Sequence, residues 1–381
     1  MNRFRASPAV HPPSLCFSTL RSDAGDARHS AGTYPPSGGC DRSVLPFSFP
    51  PGWRPLLLAI GILLLFCPGP ASAGTEVHMD QKLRFADIYE PSGLVQLTDG
   101  RLLVVEDEQD RPVHLLQTAH NDGQLVLLSF SAPAFPHRAD DLEGVAAGPG
   151  NRVYAVTSHS PEADGSLDAD RKKLLRFTVE PDGGYGQVEE YTGLLPHLLE
   201  RVAGIAPGTR HLDIEGLSLD RQGRRLLFGL RQPVVDGRSV VLTLANPAAV
   251  FDDRQTPVVD EAVVLLDLGG GGIRAMTYAA CCGGYLLANE VESGSGKPRA
   301  CLWLWDGDPA SPPLMLDFPG RGEMKNIEGL AVVAVEGREF LLAVCDDGHR
   351  GKGKGAHYRF FAPDQLAVLT AKGERMPLPA R

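Results

Sequence analysis

The sequence has no excess of basic residues and no apolar run long enough to span a bilayer. Its 37 Lys and Arg face 47 Asp and Glu, a formal net charge of −10. A general nucleic-acid binder needs a basic surface to neutralise phosphates, so we expect no nucleic-acid partner. The apolar run at residues 56–66 would span only about 16 Å as a helix, against roughly 30 Å for a bilayer core.

Several catalytic and metal-binding signatures are also missing. The chain contains no GxSxG nucleophile elbow, no HExxH, no Walker loop and no CxxC pair. Only four cysteines follow residue 74, and their spacing shows no disulfide framework or zinc pattern: Cys281, Cys282, Cys301 and Cys345. A bridge in the Cys281–Cys301 neighbourhood and buried thiols both remain open. The sequence therefore does not name a reaction.

The first 74 residues differ in composition from the rest. They contain no Lys and no Glu but 11 of the 31 prolines. Arg54, the apolar run at 56–66 and the small residues 71–73 together are typical of a secretory signal peptide. We expect residues 54–73 to be that peptide, cleaved after Ala73, and the mature protein to be secreted or periplasmic.

Two interpretations remain open for residues 1–53, which lack periodicity: a disordered leader, or a segment that is not translated. The remaining residues, 74–381, carry 31 basic and 44 acidic side chains and are expected to form one domain. We expect no stable membrane span after cleavage, and a monomer.

A short acidic–apolar–glycine motif recurs through this domain. The four clearest copies and one weaker copy lie at residues 90–94, 141–145, 213–217, 326–330 and 272–276. Each is followed by a turn and a second apolar run, and two further runs follow in most units, at 174–179 and 187–191, 239–244 and 262–266, and 300–305 and 314–318. Short apolar runs bounded by Gly, Asn and Asp turns are typical of strands.

Four strands in units of roughly 50–70 residues are typical of β-propeller blades. The last unit shows only three strands, and a spare run precedes the first motif at residues 82–89. We therefore predict an all-β fold: a single propeller of five four-stranded blades closed by an N-terminal strand, with six blades as the alternative. One short helix is predicted at residues 194–202, between the second and third blades.

In a propeller, the entry to each inner strand and the end of each second strand open onto one face. That face should collect recurrent charged residues. The candidate catalytic residues are Glu143, Glu215, Glu328, Arg274, His159 and Arg231, and the candidate metal ligands are Glu106, Asp107, Glu290, Asp346 and Asp347. Crowded carboxylates suit a hard cation such as Ca²⁺, interspersed arginines suit an anion, and His159 suits a proton shuttle. A purely structural role, in which the glutamates hydrogen-bond to inner-strand backbone groups and link neighbouring blades, explains their recurrence equally well.

Four motifs in this order carry a family resemblance: 213–217 (DIEGL), 230–233 (LRQP), 272–276 (GIRAM) and 326–330 (NIEGL). They resemble a bacterial family of unknown function whose pattern is similar to the esterase-like phytases, which are secreted propellers. The resemblance covers roughly residues 85–362 and implies a propeller and a secreted or periplasmic location. The phytase comparison would imply metal-assisted phosphoester hydrolysis, although the dense Asp loops suited to a calcium-rich site are missing here.

Two functions follow as expectations. The first is a non-catalytic propeller that binds a small molecule or a protein at the charged mouth. The second is a hydrolase of phosphoesters or esters that uses a metal or the Glu, Arg and His set; no cofactor is certain, and Ca²⁺ is the candidate ion.

Overall fold

The strands of the repeats assemble into five antiparallel sheets. The computed structural model describes residues 82–107, 111–292, 296 and 298–379. The predicted leader at 1–53 and the predicted signal peptide at 54–73 lie outside the described residues. The first two sheets follow chain order, β2 (Pro91–Gln96), β3 (Leu102–Glu106), β4 (Val113–Asn121) and β5 (Gln124–Ser129), then β6 (Leu142–Gly148), β7 (Arg152–Thr157), β8 (Leu174–Thr178) and β9 (Glu189–Tyr191).

The third and fourth sheets follow the same order. They consist of β10 (Asp213–Leu219), β11 (Leu226–Val235), β12 (Arg238–Leu244) and β13 (Val264–Leu266), then β14 (Ile273–Ala279), β15 (Gly284–Glu292), β16 (Pro298–Trp305) and β17 (Leu314–Asp317). The fourth sheet is extended at its outer edge by β21 (Ala367–Leu369) and β22 (Arg375–Met376), which the sequence did not predict.

The fifth sheet joins the two ends of the domain. It combines β18 (Ile327–Val335), β19 (Arg338–Cys345) and β20 (His357–Phe361) with β1 (Leu83–Arg84), which pairs with β20. The N-terminal closure is confirmed, although only two residues of the predicted 82–89 run form a strand. Beyond them the chain is held by the Phe85 amide, which donates to the Ala356 carbonyl, and by the Ala356 amide, which donates to the Ile88 carbonyl.

The inner strands form a closed ring, because β2, β6, β10, β14 and β18 each contact the next and β18 contacts β2. Five blades are therefore confirmed. The core lies between neighbouring blades: for example, Leu94 and Leu102 of blade 1 pack with Ala331 and Leu342 of blade 5 in one cluster. Closing the ring buries apolar surface between the first and last blades, and it leaves no inner edge exposed.

In the part of the chain that the structure describes, two α-helices lie in connections between strands. Helix α1 (Leu194–Ala203) lies between blades 2 and 3, as predicted. It buries Leu194, Leu198 and Val202, which are spaced four residues apart and so lie on one face of the helix. Helix α2 (Pro247–Asp252) stands between β12 and β13 and was not predicted, because six residues are too few to show a helical period. Cys301 and Cys345 are buried thiols, so the Cys281–Cys301 bridge is not formed.

Candidate functional site

All five inner strands carry a β-bulge at the same motif position. Pairing with the second strand of the blade skips one residue each time, and the skipped residues are Ser92, Glu143, Glu215, Arg274 and Glu328. A bulge leaves its extra residue out of the ladder and re-aims its side chain. We call these five residues the mouth ring. Four of them line one small central cavity, and Arg274 contacts two of its glutamates.

The glycine after the bulge has a structural cause. A Cβ at Gly144 would stand 2.7 Å from the Leu217 Cβ on the next inner strand, and one at Gly329 would stand 2.7 Å from the Leu94 Cδ2. The neighbouring strands approach too closely for any side chain. This accounts for the recurrent glycine but not for the acid before it.

A network of guanidinium and carboxylate groups crosses the ring. The Arg274 Nη1 contacts the Glu328 carboxylate and lies 3.5 Å from the Glu215 Oε2. Its Nε lies 3.8 Å from the Glu290 Oε2, and the Arg231 Nη1 donates to the Glu215 Oε1 at 2.6 Å. The structure thus brings together five of the residues that the sequence singled out.

Burial acts against ionisation of these carboxyls. Burial raises the pKa of Glu215 to about 7, although Arg274 and Arg231 act in the opposite direction. Burial also raises the pKa of Glu328, helped by repulsion from Glu215 and opposed by Arg274. The Glu215 Oε2 is buried and makes no hydrogen bond in the described part of the chain. The network therefore holds an acceptor that has an ionic contact with Arg274 but no hydrogen bond.

Glu143 stands apart from this network. Its residue is 9% exposed, and within the described residues its carboxylate makes no hydrogen bond or ion pair. It forms a cluster with two other acidic residues, Asp107 and Asp141, and one carboxylate oxygen from each of the three lies within 4.8 Å of the other two. Burial raises the pKa of Glu143 well above its usual range, and repulsion by Glu215 and Glu328 adds to the shift.

Asp141 is held firmly while Asp107 is exposed. The Asp141 carboxylate accepts from the Ser158 hydroxyl and from the Arg171 guanidinium. Although the Asp107 side chain reaches solvent, surrounding protein atoms and the Asp141 charge raise its pKa to about 7. Asp141 was missed as a candidate, yet an Asp or Asn stands two residues before the Glu in three motif copies, at 141, 213 and 326.

Glu106 is occupied by hydrogen bonds within blade 1. Its Oε1 accepts from the Tyr89 amide at 2.6 Å and the Glu90 amide at 3.0 Å, and its Oε2 lies 2.7 Å from the His114 Nε2. Burial alone would raise the pKa of this carboxyl, but these hydrogen bonds outweigh it and hold the pKa below the usual value. Glu106 thus anchors the segment before β2.

The other metal candidates also have protein partners. The Glu290 Oε1 accepts from the Asn326 amide at 3.1 Å, and the Asp346 Oδ2 accepts from the Asn326 side chain at 2.8 Å. Asp347 accepts from the His357 amide at 2.9 Å and contacts its ring nitrogen at 2.5 Å, beside the closing strand. Asp107 is the one candidate ligand in a three-carboxylate cluster within the described residues.

His159 is fully buried, with 0% exposure. Its Nδ1 lies 2.8 Å from the Thr157 carbonyl, and its Nε2 has no hydrogen-bond partner among the described residues. Burial lowers its pKa to about 4, so the ring is neutral near pH 7. The predicted role as a proton shuttle stays a prediction.

The opposite ends of the inner strands line a wider cavity of different character. Its walls are mostly apolar, with Leu97, Ala147, Leu219 and Val332 among them, and Asp220 is its only carboxylate in the described chain. The recurrent carboxylates therefore mark one end of the ring. None of the helices described here is long and apolar enough to cross a membrane.

Solved structures with a similar fold have low identity to this chain. An aldose sugar dehydrogenase of Streptomyces coelicolor in its PQQ-bound form is 17% identical, with 74% of this chain and 98% of that chain covered and a TM-score of 0.38. A GH43 β-1,3-galactosidase is 10% identical (77% and 97% covered, TM-score 0.43), and the allergen Mala s 1 of Malassezia sympodialis is 13% identical (71% and 78% covered, TM-score 0.35). These similarities carry no argument about activity.

Comparison with curated proteins gave no match. Residues 196–282 match a family model described as "Protein of unknown function (DUF3616)". The matched stretch runs from α1 into blade 4 and contains Glu215, Arg231 and Arg274 of the charged network. The chain is thus a β-propeller whose third blade, and part of whose fourth, match a family of unknown function.

Proposed function

We propose that this chain is a binding propeller that holds a small, positively charged ligand at the mouth ring. The observation that carries the proposal is the buried Glu215 Oε2, which lines the central cavity with the Arg274 Nη1 3.5 Å away but without a hydrogen bond from the described residues. A buried acceptor without a partner costs about 1–3 kcal/mol, and a ligand ammonium or guanidinium group would offset that cost. The proposed ligand donates to this atom.

The charge of the mouth favours a cation over an anion. Carboxylates outnumber guanidinium groups around the ring: Asp107, Asp141, Glu143, Asp213, Glu215, Glu290, Glu328 and Asp346 against Arg171, Arg231 and Arg274. Arg274 and Arg231 are already engaged by carboxylates. An arriving anion would have to displace these contacts, whereas a cation would favour the ionised form of carboxyls whose pKa burial raises.

The test is to measure by calorimetry whether ethanolamine, arginine or spermidine binds to the protein in buffer that contains EDTA. We expect at least one compound to bind, and Glu215→Gln to weaken it about tenfold, which corresponds to about 1.4 kcal/mol. Glu336→Gln is the matched control, because Glu336 is exposed in the β18–β19 turn at the far end of β18. Failure of the whole panel, or equal binding by Glu215→Gln, would overturn the proposal.

A hydrolase is the second candidate, as the phytase resemblance implies. The observation in its favour is a carboxyl with a pKa of about 7, Glu215, beside two guanidinium groups, because such a pKa suits general acid–base catalysis near neutral pH. The same proteins are assayed on phosphoesters and acyl esters with and without Ca²⁺. Turnover that is lost in both Glu215→Gln and a folded Arg274→Ala supports an enzyme, and no turnover supports binding alone.

Secretion is part of the proposal and rests on the composition of residues 54–73. N-terminal sequencing of the protein from its native host should find Gly74 as the first residue. A mature chain that retains residues 54–73 would contradict it.

A further inference from the structure

The corner of the mouth around Glu143 has the geometry of a cation site. Asp107 follows β3, Asp141 precedes β6, and Glu143 is the bulge residue of β6. One oxygen of each lies within 4.8 Å of the other two. Calcium–oxygen distances of 2.3–2.6 Å place any two ligand oxygens at most about 5 Å apart. The spacing therefore fits three ligands of one ion.

A second observation points to a missing ligand. The Glu143 side chain is about nine-tenths buried and lines the central cavity, yet no donor or cation among the described residues contacts its carboxylate. The two other glutamates of the mouth ring each contact a guanidinium group, Glu215 that of Arg231 and Glu328 that of Arg274. Burying an unpaired carboxylate is costly, so natural proteins pair such groups or use them as metal ligands.

The local charge of the cluster favours a divalent cation. Asp107, Asp141 and Glu143 supply three carboxylates, and within the described chain the one guanidinium group in contact with them is that of Arg171, on Asp141. Arg171 also contacts Asp140, so the ionised cluster keeps at least two unbalanced negative charges, which suits a divalent cation. The Arg171 contact and the Ser158 hydroxyl hold Asp141 in place, so one ligand of the site is already oriented.

The donor set specifies the class of metal. All three side chains offer carboxylate oxygens, and the cluster contains no imidazole or thiolate. Hard oxygen donors favour Ca²⁺, Mg²⁺ or Mn²⁺ over Zn²⁺ or Cu²⁺. The three ligands come from two different blades and one of them is exposed, which suits the larger ion with its flexible coordination, since Mg²⁺ demands a near-ideal octahedron.

We propose that Asp107, Asp141 and Glu143 form a site for one hard divalent cation, with calcium as the expected ion and water completing its coordination. The site lies in the same mouth but does not rest on the proposed function, because its three carboxylates are not the group that holds the ligand at Glu215; a bound cation would repel the positively charged ligand there.

The experiment is a calorimetric titration of the EDTA-treated, dialysed full chain with CaCl₂ and no organic ligand present. We expect one ion per chain, with a dissociation constant of about 10⁻⁴–10⁻³ M as in extracellular calcium modules. Glu143→Gln keeps the shape of the side chain and should weaken binding at least about tenfold, or about 1.4 kcal/mol. Glu336→Gln, the same change at an exposed carboxylate in the β18–β19 turn, should bind like the wild type.

Asp107→Asn provides a second variant at an exposed position, so the proposal stays testable if Glu143→Gln does not fold. The proposal would be overturned if calcium produced no heat of binding up to a concentration of about 10 mM, which is ten times the weakest of those dissociation constants. Calcium binding with wild-type affinity in Glu143→Gln or in Asp107→Asn would also overturn the proposal. Tighter binding of Zn²⁺ than of Ca²⁺ would overturn it as well. The organic panel contains EDTA and this titration contains no organic ligand, so each proposal can fail without the other.

Discussion

Gly329→Ala is expected to lower the free energy of unfolding by about 2–3 kcal/mol, within the range for overpacking a well-packed core. The added Cβ would stand 2.5 Å from the Val344 Cγ2 on the partner strand and 2.7 Å from the Leu94 Cδ2 across the closing interface. Neither neighbour can move freely, because both are buried: Leu94 is 3% exposed and Val344 0%. Relieving the overlap would require blades 1 and 5 to separate.

Urea unfolding monitored by circular dichroism measures this difference. The matched control is Gly322→Ala, since an added Cβ at Gly322 has no heavy atom within 4 Å and its φ is not in the left-handed region. We expect the control to change stability by less than about 0.5 kcal/mol, as at ordinary surface sites. Equal stability of Gly329→Ala and the wild type would show that the inner strands are not packed as closely as described.

The fold was predictable because every inner strand carries the same bulge and four of the five have glycine directly after it. The bulge needs one residue outside the ladder, and the close approach of the next strand excludes a side chain directly after it, as at Gly144 and Gly329. Both constraints recur at the same motif position, so sequence spacing records them. The weak copy, at Arg274, differs in the residue after the bulge, Ala275, and still keeps the bulge.

The parts that were missed depend on contacts between distant segments. Most of the predicted closing strand at 82–89 does not pair as a strand. Its backbone hydrogen bonds join separate groups: Phe85 and Ile88 bond with Ala356, and Tyr89 bonds with Gly348 and the Glu106 side chain. The added edge strands β21 and β22 extend a sheet that already has four strands. No local sequence pattern predicts this pairing.

For the site, the sequence located the acids but could not separate their roles. Glu106 and Asp107 are neighbours in the chain, yet Glu106 is buried against His114 while Asp107 stands beside Asp141. Successive side chains of a strand point to opposite faces, so the two were bound to differ, but which one reaches the mouth follows only from the register. The pairing of Asp107 with Asp141 joins the end of β3 to the start of the next blade, a contact that repeat spacing does not specify.

His159 should make the protein lose stability as the pH falls from 6.5 towards 4. Burial lowers the pKa of this histidine from 6.5 to about 4 in the folded state. In that window the unfolded chain binds a proton at His159 and the folded chain does not, so acid favours unfolding. At pH 5 the loss attributable to this residue is about 2 kcal/mol, since one pKa unit corresponds to about 1.4 kcal/mol.

The wild-type curve alone does not isolate this contribution, because the raised pKa values of Glu215 and Asp107 act with the opposite sign. Their folded pKa values of about 7 add stability as the pH falls from 7 towards their ordinary values. The quantity to measure is therefore the difference between wild type and His159→Asn across pH 5–7.5 in EDTA. Asparagine is chosen because it tolerates the positive φ of 58° at this position.

His159→Asn should be less stable than the wild type at pH 7.5, because it loses packing, and the gap should narrow by about 2 kcal/mol at pH 5, where the variant no longer has an imidazole to protonate on unfolding. His211→Asn makes the same change at an exposed position and controls for the substitution itself. A gap that stays constant with pH would mean that His159 takes up its proton without unfolding. The buried Nε2 would then have to reach water or an acceptor in the native state.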